Sequence, residues 1–256
     1  HNGRFSIFPS TACNLKCKYC YANGGDHPRY IDEKLYQIAF RYFFANFPED
    51  MKDVHLSIHG GGEPTLNYPL LRRICDEFNS QSKINKLTPK ISITSNGTFN
   101  KEIRDWVISE NIGISISLDG PSEIQDYQRP FRSGSGSFDM VMENVRYLID
   151  QGRQIGIRST VTAHSVSAMQ DTLEMAKSEG IAAVHFEPLF ETERSRENRM
   201  APPRREEFTQ NLLSCFLKGL EYDIDVSYSG LRCFDHPHFR FCSACGDNFG
   251  LTIDGH

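Results

Sequence analysis

The chain has 256 residues, with 28 Lys and Arg against 33 Asp and Glu and a net charge of −5. That length suits one large α/β domain, or one domain and the start of another, and 39% hydrophobic with 24% charged residues excludes a disordered chain. No apolar run approaches the roughly 20 residues of a membrane helix. No secretory or transit signal opens the sequence, and net acidity argues against bulk nucleic-acid binding, so a cytoplasmic globular protein without a membrane span is expected.

In chain order, short β-rich runs alternate with helical patterns. Residues 5–10 form the first expected strand. A helix over 32–46 follows, with Asp32 as cap and Ile31, Leu35, Ile38, Ala39 and Tyr42 at helical spacing. Further strands are expected over 54–60, 90–97, 113–120, 155–162 and 182–188. The helices between them are expected over 68–79, 101–109, 137–151 and 166–179. Six such units predict parallel βαβ pairing in an α/β fold, a partial (β/α)6 TIM-like barrel with a short Cys-rich C-terminal extension. Ligands of such folds lie at the carboxyl ends of the strands, where HGGGEP, TSNG and SLDGP stand. Near 190 the pattern gives way to a polar, charged connection, and the run from Arg194 to Arg205 reads as solvated surface. A last helix is expected over 204–220. The expected division is a barrel domain over 1–222 and a Cys-rich region over 223–256.

Eight cysteines are many for such a chain, and a disulfide framework suits neither its length nor its compartment. Cys75 and Cys215 fall among apolar helical neighbours, Leu71, Ile74 and Phe78 for the first and Leu212, Phe216 and Leu220 for the second, and read as core. His55 and His59 alternate on a strand without ligand spacing. Cys13, Cys17 and Cys20 have the spacing C-x3-C-x2-C, which puts three thiolates on one loop. Zinc with His27 as fourth ligand is one reading; a [4Fe–4S] cluster with one iron open is the other.

The triplet, with Tyr19 just before its last cysteine, resembles the signature of the radical S-adenosylmethionine (SAM) superfamily. Gly61-Gly62-Glu63-Pro64, after the second strand, resembles that family's G-G-E-P motif, and the resemblance extends over about residues 5–190. It implies that Cys13, Cys17 and Cys20 hold a [4Fe–4S] cluster whose open iron chelates SAM. Reductive cleavage of SAM then gives a 5′-deoxyadenosyl radical that abstracts hydrogen from substrate. It further implies that Glu63, with Gly61 and Gly62, meets the SAM amino group and that Tyr19 lies by the adenine. Ser117, in a segment similar to S-[IL]-D-G, and Arg158 are candidates for the SAM carboxylate or ribose. Asn96 is a candidate cavity residue and Glu187 a weaker candidate of the same kind as Arg158. Asp119 reads equally as a cap or a ligand contact, and no catalytic acid or base is assigned.

Cys245 and Gly255 resemble the opening of the SPASM extension of one branch of the family, and the chain shown stops before the next cysteine that opening requires. Cys233, Cys242 and Cys245 are therefore candidate auxiliary-cluster ligands. A zinc knuckle of Cys242 and Cys245 with Cys233 or His236 is the alternative. Members with this extension mature peptides or proteins, as sulfatase-maturating and thioether-forming enzymes do. The expected partners are a peptide or protein substrate and a reductant such as flavodoxin or ferredoxin. The runners-up are a radical SAM enzyme acting on a small molecule or RNA, and a non-catalytic iron–sulfur or zinc scaffold.

Overall fold

The computed structural model describes residues 3–47, 51–230 and 249–256. Strands β1 (Arg4–Ile7), β2 (Asp53–Ile58), β3 (Thr88–Ser95), β4 (Gly113–Ser117), β5 (Gly156–Val161) and β6 (Ala183–Pro188) are the six that the alternation predicts. Two short strands, β7 (Asp225–Ser227) and β8 (Phe249–Leu251), add one edge each. Every pairing is parallel and the order is β7-β6-β5-β4-β3-β2-β1-β8. Among the described residues the two edges do not pair, so the barrel stays open.

The helices are α1 (Glu33–Ala45), α2 (Tyr68–Ile84), α3 (Lys101–Ser109), α4 (Ser122–Gln128), α5 (Phe138–Asp150), α6 (Met169–Ser178), α7 (Glu193–Glu197) and α8 (Arg205–Tyr222). Side chains that accept from the first turn start several of them: Asp32 from the Lys34 amide, Asn67 from Leu70 and Asn100 from Ile103. The period of two along each strand then splits the sheet. Val54, Leu56 and Ile58 are buried under the helices in one core with Phe40 and Ile74. Their alternates His55 and Ser57 face the concave side, as do Thr94, Ser117 and Arg158 on neighbouring strands, and these are polar.

Several expectations need correction. Helix α1 is where the 32–46 pattern puts it, but it buries Tyr36, Phe40, Phe43 and Phe44, and leaves Ile38 and Tyr42 exposed. The buried stripe carries four aromatic rings against one, Tyr42, in the expected stripe, so burying it removes more area from water, and Phe40 meets Phe5 and Phe78 edge-on at 5.0 and 5.3 Å. Cys215 is buried as expected, yet its neighbours Phe216 and Leu220 are exposed. Helix α4 falls between the expected strand over 113–120 and the expected helix over 137–151, where no element is expected, and α7 falls in the stretch read as connection. Arg194, expected in solvent, is buried and ion-paired with Asp26. Cys75 lies in the core with Leu71, Ile74 and Phe78. Cys233, His236, Cys242 and Cys245 lie outside the described residues.

Candidate active site

The chain leaves β1 into the cysteine loop, which is fastened on two sides. Lys16 and Lys18 donate their amides to the carbonyls of Pro130 and Gln128 at 2.8 and 3.0 Å, and Arg132 returns its amide to Asn14 at 3.0 Å. On the other side, the Glu63 amide donates to Ala12 O at 2.7 Å. This approach requires Gly62: a Cβ there would sit 2.1 Å from Ala12 O. Gly61, with φ of +68°, makes the turn before it.

A cavity of about 480 Å³ opens at the carboxyl ends of the strands. It is lined by all three cysteines and by Tyr19, Gly61, Gly62, Glu63, Asn96, Ser117 and Arg158. Ser57, His59, Thr94, Arg129 and Thr160 share the lining, and the sequence reading missed them as site residues. The alternation along β2, β3 and β5 carries the signal for Ser57, His59, Thr94 and Thr160, since each stands in phase with an inward neighbour. No local pattern points to Arg129. Glu187 is not among the lining residues; it pairs with His185 Nε2 at 2.9 Å, and His185 Nδ1 lies 3.0 Å from Ser227 Oγ. His27 is exposed and is likewise absent from the lining.

Each of the three sulfurs has an N–H donor. The Gly24 amide donates to Cys20 Sγ at 3.4 Å, Arg129 Nη1 to Cys17 Sγ at 3.8 Å, and Asn96 Nδ2 to Cys13 Sγ at 3.9 Å. One N–H donor aimed at each sulfur is an environment for thiolates. As free thiols Cys13 and Cys17 are held protonated, since burial pushes Cys13 up to about 11 and Cys17 to about 12. A bound metal centre would displace those protons. Among the described residues no three His, Cys, Asp or Glu side chains are grouped to hold a single metal ion. Three sulfurs that share the lining while His27 stays outside it suit a [4Fe–4S] cluster that keeps one iron open, and leave a zinc site without the fourth ligand proposed for it.

Around this centre the polar groups are satisfied from within. The Glu63 carboxylate accepts from the Thr65 amide and hydroxyl, the Ser95 hydroxyl and the Asn96 amide, between 2.6 and 3.1 Å. Burial raises its pKa, and those four bonds push back. Asp119 turns out to be neither a cap nor a cavity contact. Its carboxylate takes the Tyr19 hydroxyl at 2.5 Å, Gln128 Nε2 at 2.6 Å, and Arg129 Nε and the Thr160 amide at 3.0 Å. Tyr19 is thus held by its hydroxyl with its ring in the cavity wall. Ser117 and Arg158 are register partners on β4 and β5, side by side on the concave face.

The sequence profile described as the radical SAM superfamily matches residues 7–176. The chain belongs to the radical SAM superfamily. Over 235 residues, 88% of this chain and 62% of the relative, it is 25% identical to the cysteine-type anaerobic sulfatase-maturating enzyme of Clostridium novyi (strain NT). Over 195 residues, 73% of this chain and 43% of the relative, it is 28% identical to the pre-heme d1 synthase of Dinoroseobacter shibae. Native anSMEcpe with bound AdoMet and Cp18Cys peptide has the same fold, with a TM-score of 0.76 at 17% identity over 98% of this chain and 71% of that one. The chain spans between 43 and 66% of the length of the curated relatives it matches. The cofactors of the radical SAM family are a [4Fe–4S] cluster and SAM, and the cysteine loop and cavity described above fit both. No helix among the described residues is long and apolar enough to cross a membrane.

Proposed function

We propose that this chain is the catalytic core of a radical SAM maturase that takes hydrogen from a peptide or protein substrate. The observation that carries the reading is the cavity in which three sulfurs, each with its own N–H donor, face Glu63, Ser117 and Arg158. Cys13, Cys17 and Cys20 would hold the cluster. Glu63 offers a carboxylate to the SAM ammonium, while Arg158 and Ser117 offer a cation and a hydroxyl to its carboxylate or ribose. Asn96 stands between Cys13 and Asn14, to which Nδ2 donates at 2.9 Å, and so fixes the wall between the two groups. Together the cluster and SAM supply a 5′-deoxyadenosyl radical for hydrogen abstraction; the chain binds, orients and keeps water out. Glu187 stands in β6, outside the lining of this cavity and paired with His185, so it is not assigned to SAM.

The peptide part of the reading is supported by the kinship with sulfatase-maturating enzymes. Flavodoxin or ferredoxin is the reductant class that goes with it, and Cys245, with Cys233 and Cys242, is assigned to an auxiliary cluster. A second reading, a tetrapyrrole-like small molecule as substrate, is favoured by the pre-heme d1 synthase relative. Anaerobic reconstitution with iron and sulfide, then an assay for 5′-deoxyadenosine under dithionite, tests the core of the proposal. Replacing Cys13, Cys17 and Cys20 by Ala should abolish it, and a variant that still cleaves SAM refutes the assignment. Mass analysis of a peptide encoded beside the gene, against a porphyrin precursor, separates the two substrate classes. Cys245→Ala should lower the iron count and leave SAM cleavage; zinc in the wild type with unchanged iron would make that region a knuckle instead.

A further inference from the structure

Arg129 sits where an arginine is costly. Its side chain is 12% exposed, at the end of α4, on the segment that pairs with the cysteine loop. The guanidinium is gripped from two directions. Nε donates to Asp119 Oδ1 at 3.0 Å and Nη1 donates to Cys17 Sγ at 3.8 Å. Its central carbon lies 5.3 Å from the centre of the Tyr19 ring. Asp119 cannot swing away, because Tyr19, Gln128 and the Thr160 amide occupy the rest of its carboxylate. A guanidinium keeps its proton in proteins, so the cation is permanent, and burial leaves it little screened by salt.

A thiolate-bound cluster gains one negative charge on reduction, shared with its sulfurs. A donor and a fixed positive charge at one sulfur favour the reduced form over the oxidised form, which raises the potential. Asp119 meets the guanidinium at Nε and Cys17 meets it at Nη1, so the cation bridges the two. The pair therefore acts as a dipole whose positive end meets the sulfur, and it adds no net charge. The other two sulfurs receive neutral donors, a backbone amide and a carboxamide, so Cys17 is the position at which charge is applied.

We propose that Arg129, aimed by Asp119, sets the reduction potential of the cluster through its hydrogen bond to Cys17. It is a positioning residue that makes the first electron easier to accept. The proposal rests on the reading of Cys13, Cys17 and Cys20 as cluster ligands.

The test is an anaerobic redox titration of the reconstituted protein without SAM, followed by electron paramagnetic resonance, with iron and sulfide counted in every sample. At the wild-type midpoint, Arg129→Met should lower the ratio of reduced to oxidised cluster roughly tenfold, about 59 mV for a one-electron couple. That variant leaves Asp119 buried without its counter-ion, so the double variant Arg129→Met with Asp119→Asn removes both charges and keeps the net charge. It should shift in the same direction. Arg129→Lys, a cation without the planar fork, should shift less than Arg129→Met. Loaded variants whose midpoints equal the wild type, or move upward, overturn the proposal while leaving the cysteine assignment standing. Loss of the cluster from all three variants makes Arg129 a structural strut and also overturns it. A wild type that takes up no iron–sulfur cluster brings down the cysteine assignment, and the proposal falls with it.

Discussion

The Glu63 carboxylate is 2% exposed, and its two oxygens are used unequally: Oε1 accepts three hydrogen bonds and Oε2 one, from the Asn96 amide at 2.6 Å. In Glu63→Gln the three donors hold the remaining oxygen in place, so the new NH2 must face the Asn96 N–H. Two donors then oppose each other in a buried site, at a cost of about 1–3 kcal/mol in urea unfolding. The lost charge should also weaken SAM by about one to two orders of magnitude in equilibrium dialysis of the cluster-loaded protein. Unchanged affinity with the cluster intact would remove Glu63 from the SAM amino group. His59 provides a pH test. Burial, and then the Arg158 charge, hold its pKa below the usual 6.5, so the unfolded chain takes up a proton first as pH falls. Its contribution is intact above 6.5 and is lost as pH drops from there toward the lowered value. Between about pH 7.5 and 5.5 the wild type should therefore lose up to about 1 kcal/mol more than His59→Gln; equal losses would refute the assignment. At this scale the sequence is legible where function is local, as at the cysteine triplet and the glycines beside Glu63. It is silent on Arg129, which meets Cys17 across 112 residues of chain, because only folding joins the two loops.

Gly62 and Gly250 separate what a glycine does in a loop from what it does on an edge. A Cβ on Gly62 would lie 2.1 Å from Ala12 O, while one on Gly250 in β8 would meet nothing within 4 Å. Gly62→Ala must push the Glu63 loop off the cysteine loop, costing about 2 kcal/mol or more and reducing cluster loading. Gly250→Ala should stay within about 0.5 kcal/mol of wild type in the same urea series. A Gly62→Ala protein that unfolds with the wild type and loads a full cluster would show that the two loops are not packed this tightly. The elements themselves were largely legible because polar–apolar alternation and caps are local signals. The misses have local causes too. In α1 two helical stripes compete, and the aromatic one wins on buried area. In α4 the helix is too short for a period to show. In α7 the start is made by Thr192 and Ser195, which bond reciprocally as a capping box inside a stretch dominated by charge.

Across the whole molecule, the inward face of the sheet is polar where a closed barrel would be filled with branched apolar side chains, and that polarity suits a cavity for charged ligands. The six central strands were legible as units; the two edge strands were not, because three residues carry no period. The connection from β6 to α8 crosses over the cysteine loop as a strap. Leu189 and Met200 pack on Tyr19, Thr192 Oγ1 donates to Tyr19 O at 3.4 Å, and Arg194 pairs with Asp26 just past the loop. Asp26 also takes Arg132 at 3.0 Å. That bond, then the one from Arg194, holds its carboxyl below the usual 3.8, so the tie is intact above that value and is lost as pH falls through the lowered one. At neutral pH, Asp26→Asn leaves the buried Arg194 charge without its partner. Asp26 is itself 35% exposed, so water screens part of the loss, and the local effect should be about 1 kcal/mol, a severalfold rise in opening. Amide hydrogen exchange should accelerate by that factor over residues 192–199 and 20–27 together, and Arg194→Ala should reproduce the pattern. If exchange in both segments matches the wild type in both variants, the strap is held by its other contacts, such as the Tyr19 packing and the Thr192 hydrogen bond, and the Asp26–Arg194 pair carries no part of it.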